Sequence, residues 1–298
     1  PTSTNFWAGV GSLPDDQNWP RTVTFHQQRL VFAGTLLNVS TVWLSKAGDF
    51  VDFGVSTSLI DSDAITFTLD SGTINQIVWI TSGKALYLGT IGNEWTVTGA
   101  TRTALTPTNI LAQKQTDNGG EPMNPVLIGS TVLFLEQYGR SVKEFIYDFN
   151  NDSYRASDMS ILSSHLTRST SIVSWAYQRT PHSIIWCVMD DGNMLGITYQ
   201  RDHEIIAWHQ HPTDGLYKSV VSMPGNNRED ELWVLVERST PDTSPVPVWT
   251  SSLHLEKMDV EFDGVSASSA SFLDNSSRYV GAPTSTLSGL THLSNLSV

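Results

Sequence analysis

The sequence predicts an all-β fold: a β-propeller-like repeat of four-stranded antiparallel blades with one short helix. Three observations predict it. Short β-branched and aromatic runs alternate with Gly, Asp, Asn and Ser turns along most of the chain. The runs come in sets of four, and the sets recur at a period of about fifty residues, the size of one propeller blade.

The clearest set lies between Ser171 and His211, with runs Ile172 to Tyr177, Ile184 to Met189, Met194 to Tyr199 and Ile205 to His209. Asp190-Asp191-Gly192-Asn193 joins the middle two, where Gly accepts φ > 0 and Asp or Asn caps its own turn. Gln200 to Glu204 reads as a polar loop.

In chain order, residues 1–20 are rich in Gly, Pro and Asp and read as an irregular lead-in. A first set is expected at Thr22 to His26, Arg29 to Gly34, Thr41 to Ser45 and Phe50 to Gly54. A second is expected at Asp63 to Thr68, Gln76 to Ile80, Ala85 to Gly89 and Glu94 to Val97. After a polar loop, Asn109 to Pro125, a third comprises Pro125 to Ile128, Thr131 to Leu135, Val142 to Tyr147 and Ser153 to Ala156. Ser157 to Leu166 is the one helix expected, capped by Ser157 or Asp158, with Met159, Leu162 and Leu166 on one face. The last set runs from Ser219 through Glu231 to Val236 and Val246 to Leu255, ending at Met258 to Phe262.

Five blades are thus visible over residues 21–262. A sixth would be closed by the Ser-rich segment 263–298 with the lead-in, or by residues beyond this chain; alternatively that segment links into a following β-domain. The competing architecture is one or two β-sandwiches, disfavoured because sets of four recur where paired sheets would be expected. A chain opening Pro1-Thr2-Ser3 and closing Asn295-Leu296-Ser297-Val298 is expected to continue past both ends.

Composition narrows function. At 298 residues, 39% hydrophobic and only 16% charged, with ten Trp, the chain has ample material for a core. Its net charge of −13 argues against binding nucleic acid by neutralising phosphates. No run approaches the ~20 apolar residues of a membrane-spanning helix. Cys187, the single cysteine, makes no internal disulfide and reads as a small core residue.

Chemistry-bearing patterns are sparse. His209 and His211 lie two apart on a strand and so share a face with chelating spacing, but no third ligand is placed by sequence. Asp61-Ser62-Asp63 and Glu229-Asp230-Glu231 carry hard-cation oxygens but read as solvated turns. A sialidase-like glycosidase needs an arginine cluster and paired acids, and the spacing supplies neither. Ser45 to Phe50 is only loosely similar to the Asp-box turn of that class. The expectation is a non-enzyme without cofactor or metal.

A resemblance enters at the first blade. Trp19 to Thr35, followed by Thr41 to Ser45 and Gly48-Asp49-Phe50, resembles a stretch in phage and prophage virion proteins related to the tail nozzle, or tail tubular protein B, of short-tailed phages. Asp63-Ala64-Ile65, Asn75-Gln76-Ile77, Leu88-Gly89-Thr90, Glu94-Trp95, Trp175 to Gln178, Asp191-Gly192, Thr198-Tyr199, Ala207-Trp208-His209 and Gly215 continue it, and Gly289 to Leu293 is similar to the opening of that family's next β-domain.

The resemblance implies a virion tail component made in the host cytoplasm, a homo-oligomer in a six-fold ring. Its partners would be adaptor and fibre proteins, and DNA would pass through without specific binding. An acidic, Ser/Thr-rich ring would let the duplex slide. The residues singled out for interfaces or packing between blades are Arg29, Trp43, Trp95, Trp175, Tyr177 and Trp208. The runner-up is a glycan-binding or glycoside-hydrolysing propeller at the host surface, with Trp and Tyr platforms; a third reading is a non-viral interaction scaffold.

Overall fold

Alternating apolar residues and tight polar turns fold this chain into strands that pair with their sequence neighbours. The computed structural model describes residues 18–70, 72–225, 228–241 and 249–259, and of residues 102, 240 and 241 the backbone only. Most of the expected lead-in, the segment 263–298, residues 246–248 and the strand end 260–262 lie outside the described residues.

The chain divides into two compact units, Pro1–Ser169 and Thr170–Val298. The first unit holds three four-stranded antiparallel meanders: β1 (Thr22–His26), β2 (Arg29–Ala33), β3 (Thr41–Leu44) and β4 (Ile65–Thr68); β5 (Ile77–Ser82), β6 (Leu86–Thr90), β7 (Glu94–Gly99) and β8 (Ile110–Thr116); β9 (Val126–Ile128), β10 (Thr131–Leu135), β11 (Val142–Asp148) and β12 (Ser153–Asp158). The second unit holds one more, β13 (Ile172–Gln178), β14 (Ile184–Met189), β15 (Met194–Gln200) and β16 (Ile205–His211). A three-stranded sheet follows, β17 (Leu216–Pro224), β18 (Asp230–Pro241) and β19 (Trp249–Lys257).

Within each unit the sheets stack face to face, as propeller blades do, because a single meander cannot bury both faces. Val31, Val42, Leu44 and Ile65 of the first sheet pack on Ile77, Leu86, Leu88, Trp95 and Val97 of the second. The second sheet's other face, Val78, Trp79 and Tyr87, packs on Val132, Phe134 and Phe145 of the third. In the second unit, Trp186, Val188 and Met194 meet Tyr217, Val220, Leu232, Val234 and Val236.

Two expected boundaries move. Phe50 to Gly54 is not a strand; the first sheet's fourth strand is β4, which sequence patterning assigns to the next set. Asp49 and Asp52 accept from the backbone of Val51 and Gly54, folding that segment into turns. Phe50 and Phe53 then lie against Phe25 and Phe32, with ring centroids 5.1 and 5.8 Å apart. The second sheet instead recruits β8 from the stretch expected to be a polar loop; an edge strand reading Ile-Leu-Ala-Gln-Lys-Gln-Thr shows little apolar alternation.

The expected helix is shorter than its pattern. Ser157 and Asp158 belong to β12, and only a 3-10 turn over Ile161–Ser163 and the α-turn α1 (Ser164–Thr167) follow. Asp158 does accept from the Ser160 N–H at 2.7 Å, but Leu162 is exposed while Met159 is buried, so no common apolar face forms. Among the described residues the fifth sheet has three strands; Met258 and Asp259 follow β19 outside any strand, with the Met258 N–H donating to the Leu232 carbonyl at 2.9 Å.

Candidate functional site

The residues singled out from sequence fall into separate places. Arg29 is 2% exposed, opposite His26 across a two-residue turn in which Gln27 and Gln28 both have positive φ. Its guanidinium donates to the carbonyls of Ser45 at 2.7 Å, Asp63 at 2.6 Å and Asp61 at 2.7 Å, pinning the long β3–β4 connection of its own sheet. Asp63 closes the same connection: its carboxylate accepts from the N–H groups of Ile60 and Ser56 and from the Ser56 hydroxyl. The Ile60 N–H above all holds that carboxyl below the usual range.

Trp43 is buried in the first sheet opposite Phe32 and Thr66. Trp95 is buried in the core shared by the first and second sheets. Trp175, Tyr177 and Trp208 are half-buried, facing Cys187, Ile185 and Ile197 across their ladders. Tyr177 shares a hydrogen bond with Ser183 at 3.1 Å. Cys187 is fully buried, and burial pushes its thiol up, away from the reactive thiolate.

The acidic turns are internally engaged. Asp230 accepts from the backbone of Arg179 at 2.8 Å and Thr180 at 3.3 Å. Glu231 pairs with Lys257 at 2.9 Å and accepts from the Trp233 indole at 3.2 Å. Among the described residues no group of three or more His, Cys, Asp or Glu stands together as a metal cluster, and no helix is long and apolar enough to cross a membrane.

Two ionisable constellations remain. In the second sheet Trp79, Gly89, Glu94 and Thr116 stand in one row across β5 to β8. Glu94 is completely buried; Thr116 Oγ1 donates to it, as do the backbone and side-chain amides of Asn118 at 3.3 Å. Burial pushes its carboxyl above the usual range against those bonds. Among the described residues Glu94 Oε1 and the Trp79 indole N–H have no partner, although both residues are fully buried.

In the fourth sheet Trp186, Gly196 and His209 form a second row across β14 to β16, with His211 two residues along the edge strand β16. His209 Nδ1 and His211 Nε2 are 2.6 Å apart, and His209 Nε2 is 3.2 Å from Thr198 Oγ1. The Trp186 ring stands edge-on to His211 with centroids 4.6 Å apart and donates through Nε1 to Gln178 at 2.8 Å. Gln178 in turn donates to the Asp230 carbonyl at 2.7 Å, tying this cluster to β18. The shared face of the two histidines is legible from their spacing; Thr198, Trp186 and Gly196 enter only through cross-strand register.

A third feature is apolar. On β19, Trp249, Leu253 and Leu255 alternate onto one face and are 66%, 61% and 68% exposed. Leu255 pairs with Leu235, and Val221 with Trp233, so the face crosses the whole sheet, and Val221 at its far side is exposed too. The opposite face, through Val220, Val234 and Val236, is the buried one.

These features define a propeller-like all-β protein with an exposed sheet face and a histidine pair at a sheet edge. No protein-family profile and no curated protein matches the chain. Among solved structures it is similar to human WBSCR16, at TM-score 0.42 and 10% identity, covering 76% of this chain and 66% of that one. It is also similar to an auxiliary nutrient binding protein from Bacteroides thetaiotaomicron VPI-5482, at TM-score 0.37 and 11% identity, covering 74% and 54%. The chain thus spans about two thirds of the length of the first and about half of the second.

Proposed function

We propose that this protein is a structural component of a phage tail, related to the tail nozzle, assembling with further copies of itself into part of the conduit for DNA. What supports the reading is the outer face of β17–β19, on which Trp249, Leu253, Leu255 and Val221 are large apolar side chains left exposed, of the kind that subunit contacts cover. The residues resembling the nozzle family run from Trp19 to Leu293, and those among the described residues are mostly strand and turn residues, which suits a role in packing and assembly. A net charge of −13 suits a channel wall that releases its cargo.

Two measurements test the proposal. Quantitative mass spectrometry of purified particles is expected to find this protein at a copy number near that of a symmetric tail ring. Absence from particles would overturn the tail assignment and turn attention to glycan binding. Light scattering of the purified protein is expected to show an oligomer that Trp249→Glu with Leu253→Glu converts to monomer; an unchanged mass would remove this face from the interface.

A further inference from the structure

We propose that His209 and His211 form a bidentate site for a divalent transition metal, with Cu2+ held more tightly than Ni2+ or Zn2+. The pair stands on edge strand β16 with side chains on one face, and the two facing ring nitrogens share a hydrogen bond at 2.6 Å, so that one metal ion could replace the proton between them. A metal at 2.0–2.1 Å from each nitrogen would need the rings to part by a few tenths of an ångström. Both are half-buried side chains on an edge strand, which leaves the rings room to move on the solvent side.

The surroundings fix the donor atoms. In the tautomer that donates its Nε2–H to the Thr198 hydroxyl, 3.2 Å away, His209 keeps Nδ1 as the lone-pair donor. Gly196 opposite His209 supplies the cradle in which the imidazole lies: a Cβ there would come within 2.0 Å of His209 Cε1. Trp186, held by Gln178, walls the far side at 4.6 Å from the His211 ring. Two protein nitrogens leave the remaining positions to water, an open nitrogen-rich set that follows the order Cu2+ above Ni2+ and Zn2+.

The test titrates the full chain, carrying no polyhistidine tag, with Cu2+, Ni2+ and Zn2+ by calorimetry, and reads the Cu2+ complex by electron paramagnetic resonance. One site with two nitrogen donors is expected, and a thermal midpoint raised by about 4 °C or more at a hundredfold excess over Kd. His211→Gln and His209→Gln, checked for unchanged circular dichroism, are expected to lose the site. Thr198→Val is expected to weaken it about tenfold, and His254→Gln to leave it intact. No binding by the native chain, or undiminished binding in both Gln variants, would overturn the assignment; should the Gln variants misfold, an unweakened Thr198→Val would do so.

Discussion

The second and fourth sheets carry the same cross-strand row, a Trp, a Gly and an ionisable side chain on three successive strands, put to different use. In Trp79–Gly89–Glu94 the indole lies on the glycine; in Trp186–Gly196–His209 the imidazole does. The first row sits between two stacked sheets in the middle of its unit, where Trp79 and Glu94 are both fully buried. The second ends on edge strand β16, where His209 and His211 stay half-buried. Position in the stack thus decides the chemistry: a sealed row holds a carboxyl out of water, whereas a row at an edge presents nitrogen donors to solvent.

The largest effect expected from this contrast is at the glycines. A Cβ on Gly89 would stand 2.0 Å from Trp79 Cε2, and the fully buried indole has little room to retreat, since a Cβ on Gly120 would likewise stand 2.4 Å from its Nε1. Gly89→Ala is expected to cost about 3 kcal/mol by overpacking. A Cβ on Gly196 meets His209 Cε1 at the same 2.0 Å, but a half-exposed imidazole can swing outward, so Gly196→Ala is expected to cost about 1 kcal/mol. Urea denaturation of the two variants compares them; equal costs would mean that the edge row is as tightly held as the buried one.

Sequence reading reaches some of this and stops for physical reasons. The third and fourth strand sets are legible because Val132 to Leu135 and Ile185 to Met189 are apolar runs between Gly and Asp turns. The first two sets are misdivided at Phe50 to Gly54, whose aromatic alternation reflects packing on Phe25 and Phe32 from a loop. Strand β8 escapes because an edge strand with one face in water needs few apolar residues. Arg29 reads from sequence as an interface or inter-blade residue; only the folded β3–β4 connection brings the carbonyls of Ser45, Asp61 and Asp63 to it. The spacing of His209 and His211 is local and therefore readable, whereas the alignment of Gly89 with Trp79 and Glu94 depends on register, including the bulge between Ile77 and Trp79.

A smaller effect sharpens the same comparison, because the two rows respond to pH in opposite directions. Burial raises the Glu94 carboxyl above 4.5, so its contribution is present at low pH and is lost as pH rises past that value. His211 is lowered from 6.5 to about 4, chiefly by burial and then by His209, so its contribution is present at neutral pH and is lost as pH falls through that window. Glu94→Gln is therefore expected to gain stability relative to the native chain as pH rises from about 5 to about 8, and His211→Gln to gain as pH falls from about 7 to about 5. Urea midpoints in metal-free buffer read both differences, in which titrations common to native chain and variant cancel. Parallel curves for Glu94→Gln and the native chain would show that Glu94 reaches water in the folded state. The distinction between a sealed and an open row would then rest on the glycines alone.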